Sequence, residues 1–238
     1  MINTRHLQNL EQDAKSFLSA EPFSHIVIDN FIGDEDYMKQ VVDEVRQIPN
    51  ETYDFNEYKF VQQKKRGMAE IDKMPPLLKK LVEFCLSQEM LDYLEKLTGI
   101  QNLIADRSLL GGGIHKLSQG GHLAVHADFN RHIHTGHHRR INALLYLNPE
   151  WKEEWGAQLE LWDKNMTHIC HKILPILNRM VIFRITDDAY HGHPDPMTCP
   201  EDVHRYSLAF YYYTEDRPEH EKGPFHWADW KIRPNGMY

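Results

Sequence analysis

The spacing of apolar residues divides the chain into a helical first part and a strand-rich second part. Apolar residues at helical spacing predict amphipathic helices over 4–19, 34–48 and 75–98. Between the first two, the apolar run 23–31 predicts a strand that leads into a turn. The charged, turn-rich segment 50–73 predicts an irregular or edge-strand region.

After Gly99 the helical period gives way to short apolar runs separated by Gly, Pro, Asn and Asp. Helices followed by many short strands predict an α+β, mainly β protein, in which helices pack outside a β-sandwich or barrel. We expect one domain over 1–238, with helical support in 1–100, a β core in 101–214 and an irregular tail in 215–238. The predicted core strands are 101–106, 110–117, 121–128, 140–148, 157–163, 179–186, 189–193 and 204–214.

Composition narrows the class of protein. With 41% apolar and 26% charged residues, the 238-residue chain is typical of a soluble globular protein. A net charge of -8 argues against non-specific binding to nucleic acid or an anionic membrane. The first residues lack the apolar core of a signal peptide, and no apolar run is long enough to span a bilayer. Three widely spaced cysteines indicate reduced thiols and a cytoplasmic location.

The segment 120–130 carries the first chemical signal, a His126-x-Asp128 pair on a predicted strand. Residues two apart on a strand point to the same face, so the imidazole and the carboxylate project side by side. Two His and one carboxylate bind Fe(II) in non-haem oxygenases and leave coordination positions open. The third ligand is expected far along the chain, at His191 or His193, and spacing alone does not choose between them.

A second signal lies on the last predicted strand, where Arg205, Ser207 and Tyr211 share one face. An inward Arg in a small barrel needs an anionic partner, because a buried unpaired charge is costly. A dicarboxylate cosubstrate would supply that partner, since a guanidinium matches a carboxylate bidentately. The hydroxyls of Ser207 and Tyr146 could donate further hydrogen bonds to the same carboxylate.

Taken in order, these motifs resemble the Fe(II)/2-oxoglutarate-dependent dioxygenases, in their prolyl-4-hydroxylase-like branch. The resemblance covers roughly 110–214, about half of the chain. It implies a double-stranded β-helix, or jelly roll, supported by the N-terminal helices. The motifs that carry it are His126-x-Asp128, Tyr146 in LLYLN, Gly156 before QLELW, His191, and Arg205-x-Ser207.

The resemblance also implies a role for each of these residues. It favours His191 over His193 as the third iron ligand, beside His126 and Asp128. Arg205 would hold the distal carboxylate of 2-oxoglutarate. The implied chemistry is hydroxylation of an unactivated C–H bond by Fe(II), 2-oxoglutarate and O2, with release of succinate and CO2 and with ascorbate as a candidate additional cofactor. The remaining implied contacts to the cosubstrate come from Tyr146, Ser207, Asn142 and Leu144, and Tyr211 would close the substrate side.

Two departures from the family pattern bear on the substrate. Prolyl hydroxylases often place a Tyr upstream of the His-x-Asp strand, whereas here the nearest polar ring is His115. The interval from His191 to Arg205 is also longer than is usual for them. Both argue against a peptidyl-proline substrate more than against the chemistry.

The basic segment 131–140 suggests an anionic substrate, because a positive rim on an acidic protein attracts anions. Arg140 is expected to share the inward face with Asn142, and Arg131 is the second candidate. The other expected substrate contacts are His115, His193 and Tyr211. We therefore expect a small anionic substrate and leave the oligomeric state open.

Other interpretations of the sequence remain. The same chemistry could serve a peptidyl-prolyl or protein hydroxylase. A cupin-like metal protein that does not use 2-oxoglutarate, or a jelly-roll binding module that has lost turnover, would carry a similar strand pattern. The segment 131–140 could also be only a solvated connection.

Overall fold

A computed structural model of the protein describes residues 1–55 and 57–238. Within them, the α-helices all lie in the first hundred residues, together with three of the strands, and the remaining strands follow. The helices are α1 (Thr4–Gln8), α2 (Leu10–Ser19), α3 (Glu35–Gln47), α4 (Pro76–Cys85) and α5 (Gln88–Thr98). The strands are β1 (His25–Ile28), β2 (Asp54–Phe55), β3 (Gln62–Met68), β4 (Ile104–Ala105), β5 (Gly113–Ala127), β6 (His138–Tyr146), β7 (Leu159–Trp162), β8 (Ile169–Ile173), β9 (Met180–Arg184), β10 (His191–His193), β11 (Arg205–Thr214) and β12 (Asp229–Trp230).

The strands form one antiparallel sheet that curls on itself. Its main order is β1-β9-β6-β11-β5-β10-β7-β8, and β3 and β12 also pair with β5. The first part of the long strand β5 pairs with β11, and its second part pairs with β10, so β5 belongs to both halves of the curled sheet. This arrangement confirms the predicted double-stranded β-helix.

Alternate side chains of strand β11 face the helices on one side and the inside of the curled sheet on the other. Leu208, Phe210 and Tyr212 point outward into the main core, where they pack with the helices. The Tyr212 hydroxyl donates a 2.7 Å hydrogen bond to the carbonyl of Cys85 at the end of α4. The alternate residues of β11 therefore face the inside of the curled sheet.

Several helix and strand boundaries differ from those predicted from the sequence. The expected helix 75–98 is two helices, because Ser87 caps the start of α5 by accepting a hydrogen bond from the amide of Met90. The end at Gly99 is as predicted, with φ +73°. The expected strands 110–117 and 121–128 are one strand that continues through Gly120, which has a φ of +78°.

The remaining corrections concern segments with weak patterns. The predicted helix 4–19 is interrupted at Asn9. Strand β8 was not predicted, and the tail forms β12 beside β5 where irregular structure was expected. Among the described residues, none of the helices combines the length and the apolar character needed to cross a bilayer.

Candidate active site

Three side chains that could ligate a metal meet at the end of β5. His126 lies on β5, Asp128 follows its last residue, and His191 opens β10 directly opposite His126 in the antiparallel pair. One potential ligand atom from each lies within 4.8 Å of the other two. His126 Nε2 is 3.5 Å from Asp128 Oδ1, and His191 Nε2 is 3.4 Å from Asp128 Oδ2. The structure thus brings His191, and not His193, to the predicted pair.

The backbone fixes the orientation of both imidazoles. His126 Nδ1 lies 2.9 Å from the carbonyl of Ala124, and His191 Nδ1 lies 2.9 Å from the carbonyl of Ala189. A hydrogen on each Nδ1 would donate to that carbonyl and leave Nε2 as the free lone pair. Burial lowers the pKa of His191 to about 4, so this ring is neutral near pH 7.

A buried hydrogen-bond network holds the Asp128 carboxylate. Its Oδ2 accepts hydrogen bonds from Asn142 Nδ2 at 2.7 Å and from Arg139 Nη2 at 3.0 Å. Arg139 Nε also donates to Asn142 Oδ1 at 3.0 Å. Burial alone would raise the pKa of Asp128, but the Arg139 guanidinium and the nearby imidazoles hold it well below the ordinary value. Asp128 is therefore an ionised carboxylate in a fixed orientation.

The inward arginine of β6 is Arg139, and the expected inward orientation of Arg140 is wrong. The register between β6 and β11 shifts at this point, because Tyr212 lies opposite Ile141 whereas Tyr213 lies opposite Arg139. The extra residue, Arg140, is a β-bulge that reverses the alternation of side chains. The guanidinium of Arg139 packs 3.4 Å from the ring centre of Tyr211 and is fully buried.

The two arginines that were expected to bind substrate instead contact the C-terminal tail. Arg140 donates to Thr214 Oγ1 and to Glu221 Oε2, each at 3.2 Å. Arg131 donates to the carbonyl of Gly223 at 3.0 Å. Neither Arg140 nor Arg131 lines the cavity beside His126. Their charges fasten the tail to the barrel.

A cavity of about 210 Å³ adjoins the three potential ligands. It contains most of the residues that the sequence singled out, and Lys65 and Trp230 are among the lining residues that it missed. The predicted residues that line it are Asn142, Leu144, Arg205, Ser207, His115, His193 and Tyr211.

One wall of this cavity has buried donors without a carboxylate acceptor among the described residues. Arg205 donates through Nε to the carbonyl of Ala157 at 3.2 Å, but no carboxylate of the described residues lies within ion-pair distance. The guanidinium is 4.9 Å from the ring centre of Tyr146. The Tyr146 hydroxyl is buried and has no hydrogen-bond partner among the described residues. Ser207 lies opposite Tyr146 in the register of β11 and β6. These groups fit an anion that the cavity would admit.

His115 and His193 add neutral polar rings to the cavity. Each has one ring nitrogen, His115 Nε2 and His193 Nδ1, that is buried without a partner among the described residues. Burial, reinforced by the cations nearby, lowers the pKa of each ring well below the ordinary value. Both rings can therefore bind a polar ligand as neutral groups.

Among the residues at this site that sequence reasoning missed, three are polar or aromatic groups next to the potential ligands or in the cavity: Arg139, Lys65 and Trp230. Strand β12 pairs with β5 so that Trp230 lies opposite His126, with their ring centres 4.8 Å apart. Tyr58, on the connection before β3, stacks on Trp230 at 6.4 Å. The tail and this connection thus cover the mouth of the cavity. Two Trp in the tail were a visible signal, but only tertiary pairing places one of them over the site.

The sequence is similar to a known protein family and to one curated relative. Residues 112–213 match the model of the 2OG-Fe(II) oxygenase superfamily. A sequence relative, prolyl 3-hydroxylase OGFOD1 of Mus musculus, is 27% identical over 209 residues, which cover 82% of this chain and 34% of the relative. The chain thus spans about a third of the length of that relative.

Solved structures share the fold at low identity. A Trichoplax adhaerens prolyl hydroxylase in complex with a peptide fragment of hypoxia inducible factor has a TM-score of 0.63 and 19% identity, covering 90% of this chain and 94% of that one. A Pseudomonas putida prolyl-4-hydroxylase has a TM-score of 0.56 and 14% identity, with coverages of 86% and 98%. HygX of Streptomyces hygroscopicus, with nickel, 2-oxoglutarate and hygromycin B bound, has a TM-score of 0.57 and 14% identity, with coverages of 94% and 99%.

Proposed function

We propose that this chain is a dioxygenase of the 2OG-Fe(II) oxygenase superfamily, in its prolyl-hydroxylase-like branch, and that it hydroxylates an unactivated C–H bond. It would consume 2-oxoglutarate and O2 and release succinate and CO2. The observation that carries the proposal is the presence, in one cavity, of the His126, Asp128 and His191 cluster and of Arg205, which has no carboxylate partner among the described residues.

Fe(II) would be held by His126 Nε2, His191 Nε2 and Asp128. The oxygen of Asp128 available for this is Oδ1, because Oδ2 already accepts hydrogen bonds from Arg139 and Asn142. Two neutral imidazoles and one carboxylate are the ligand set of non-haem Fe(II) oxygenases, and the bound metal supplies the activation of O2. The protein contributes the fixed orientation of each ligand.

The distal carboxylate of 2-oxoglutarate would bind Arg205. The free face of this guanidinium can donate two parallel hydrogen bonds to a carboxylate. The Tyr146 hydroxyl, buried without a partner, would donate a third, and Ser207 would add a fourth. Leu144 and Asn142 line the space between Arg205 and the metal ligands. One charge-assisted hydrogen bond is worth about 1.5–3 kcal/mol, so Arg205 should dominate cosubstrate affinity.

Two substrate classes fit this chemistry. A peptidyl proline is favoured by the relatives, since OGFOD1 is named a prolyl 3-hydroxylase and the Trichoplax enzyme was solved with a peptide. A small molecule is favoured by the modest cavity volume and by Trp230 over the mouth of the cavity. Arg140 and Arg131 no longer support an anionic substrate, whereas His115, His193 and Tyr211 remain the expected substrate contacts. The three unpaired cysteines support a reducing, cytoplasmic setting.

The test is incorporation of oxygen from labelled gas. The purified protein is incubated with Fe(II), 2-oxoglutarate, ascorbate and ¹⁸O2, with one panel of prolyl peptides and one of small carboxylates and amino acids. We expect one ¹⁸O atom in succinate and one in a single hydroxylated product, and the panel that yields the product decides the substrate class. Absence of succinate with every substrate, in protein shown to hold iron, would contradict the proposal.

A further inference from the structure

A buried lysine in the cavity has no role in the function proposed above. The basic run 64–66 lies on β3, at the edge of the curled sheet. Lys64 adopts a φ of +53° and is exposed, and Arg66 packs over the ring of Phe55. A register shift at Lys64 turns Lys65 inward, where it is 92% buried and lines the cavity.

Lys65 is a cation without a protein counter-ion. No carboxylate of residues 1–55 or 57–238 lies within ion-pair distance of its ammonium. An unpaired buried ammonium is costly, and burial accordingly lowers the pKa of Lys65 to about 8, although Asp128 partly offsets this effect. An anion that enters the cavity would supply the missing counter-ion and offset this cost.

The sheet register places Lys65 near Arg205, the residue expected to bind the distal carboxylate, but on a different strand. Lys65 lies opposite Leu117 on β5, and Leu117 lies opposite Arg205 on β11. Lys65 and Arg205 are therefore two strands apart, roughly 9–10 Å between backbones, and face the same cavity. Of the other expected partners of the distal carboxylate, Ser207 lies on the same strand as Arg205, and Tyr146 lies on β6, on the far side of β11 from Lys65.

The cations of the cavity are sufficient to bind both carboxylates of a dianion. Arg139 is already paired with Asp128, so the cavity cations without a carboxylate partner among the described residues are Arg205 and Lys65. Lys65 shares this cavity with the three potential metal ligands as well as with Arg205. The cavity thus offers one cation without a carboxylate partner among the described residues for each end of a dianion.

We propose that the Lys65 ammonium binds the carboxylate of 2-oxoglutarate next to its keto group, while Arg205 binds the distal carboxylate. The proposal rests on the function given above, and it makes Lys65 a positioning residue for the metal-bound end of the cosubstrate. Binding would give the Lys65 ammonium the counter-ion that it lacks among the described residues.

Binding of two ligands to two variants can distinguish this role of Lys65 from a contact with the distal carboxylate or with another ligand. The ligands are 2-oxoglutarate and 2-oxobutyrate, a 2-oxo acid that lacks the distal carboxylate. Their affinities for Mn(II)-loaded wild type, Lys65→Met and Arg205→Met are measured by titration calorimetry, which needs no turnover. Methionine keeps the volume of Lys65 without its charge, and thermal unfolding checks that each variant is folded. Mn(II) affinity is measured first in each protein.

We expect Lys65→Met to weaken both ligands by the same factor, about ten- to a hundredfold. Arg205→Met should weaken only 2-oxoglutarate. If Lys65→Met weakens 2-oxoglutarate but not 2-oxobutyrate, Lys65 serves the distal carboxylate and the proposal is overturned. If Lys65→Met changes neither affinity by more than about twofold, Lys65 faces another ligand and the proposal is again overturned. Failure of the wild type to bind either ligand with Mn(II) would instead refute the proposed function itself.

Discussion

Asn142 Nδ2 donates a 2.7 Å hydrogen bond to Oδ2 of Asp128, and so ties the middle of β6 to the carboxylate just beyond the end of β5. Both residues are buried. From the sequence, Asn142 was expected to line the cosubstrate pocket; in the structure it lines the cavity and also orients the proposed metal ligand. Loss of a group that orients a metal ligand in this way typically lowers metal affinity by about 10–100-fold.

Removal of this orienting bond should weaken the metal site. We expect Asn142→Ala to lower Fe(II) affinity by about 10–100-fold, because the carboxylate loses a neutral donor while no charge changes. Fe(II) binding is measured by anaerobic competition with a chelator. Gln158→Ala, which removes an exposed amide that bonds only the carbonyl of Glu153, serves as the control. Unchanged affinity in Asn142→Ala would show that Arg139 alone orients Asp128.

A close backbone approach between β10 and β5 should make Gly192 intolerant of any side chain. A Cβ at this position would lie 2.8 Å from the carbonyl oxygen of Ala124 and 2.9 Å from that of Leu123. Gly192→Ala must therefore push β10 away from β5 and move His191 relative to His126. We expect a loss of about 1–3 kcal/mol in the free energy of unfolding and weaker Fe(II) binding. Gly136→Ala, at an exposed turn, controls for a general effect of losing glycine, although its φ of +76° adds some strain.

An ion-pair cluster should hold the tail, and with it Trp230, over the cavity. Glu221 accepts a hydrogen bond from Arg140 at 3.2 Å and forms a second ion pair with Arg184. Because Glu221 is largely shielded from solvent, its loss leaves two arginines without a counter-ion. We expect Glu221→Gln to speed hydrogen exchange of the 215–231 amides by about tenfold or more, which corresponds to roughly 1.4 kcal/mol of local opening.

The control for the tail is Glu219→Gln. Glu219 pairs with Lys222 at 2.7 Å but is highly exposed, so its removal should change exchange little. Equal exchange rates in Glu221→Gln and wild type would show that the tail is held by β12 pairing and not by the arginines.

One buried hydrogen bond links the helical support to the barrel. Tyr212 donates to the carbonyl of Cys85 at 2.7 Å, and its ring lies in the main core. Tyr212→Phe keeps the packing but leaves that carbonyl unpaired, which should cost about 1–3 kcal/mol. Urea unfolding measures this loss. Tyr58→Phe, at an exposed ring, should leave the midpoint unchanged; a similar shift in both variants would contradict the assignment.

The sequence predicted those parts of the site that depend on strand alternation within one element. His126 and Asp128 share a face because they are two apart, and the same rule placed Arg205 and Ser207 on the inner side of β11. The rule failed for Arg140, because a one-residue bulge in β6 exchanges its direction with that of Arg139. A bulge depends on the partner strand and leaves no mark in a single sequence.

Other features depended on contacts between distant segments. The inward direction of Lys65 follows from its pairing with Leu117, and Trp230 reaches His126 only because the tail adds a strand to β5. The break before α5 did have a local signal, since Ser87 is a good N-cap, but the apolar stripe continued across it. Periodicity therefore gave the elements and the fold class, while pairing between elements set the depth and shape of the cavity.

The central claim is that His126, Asp128 and His191 hold Fe(II) so that 2-oxoglutarate can chelate it beside Arg205. The most direct measurement is anaerobic visible spectroscopy of the Fe(II) protein on addition of 2-oxoglutarate, which reports a charge-transfer band only when the keto acid chelates the iron. We expect the band in wild type and in His193→Ala, and its loss in Asp128→Ala and His191→Ala. A band that survives in His191→Ala but disappears in His193→Ala, or no band in iron-loaded wild type, would contradict the account.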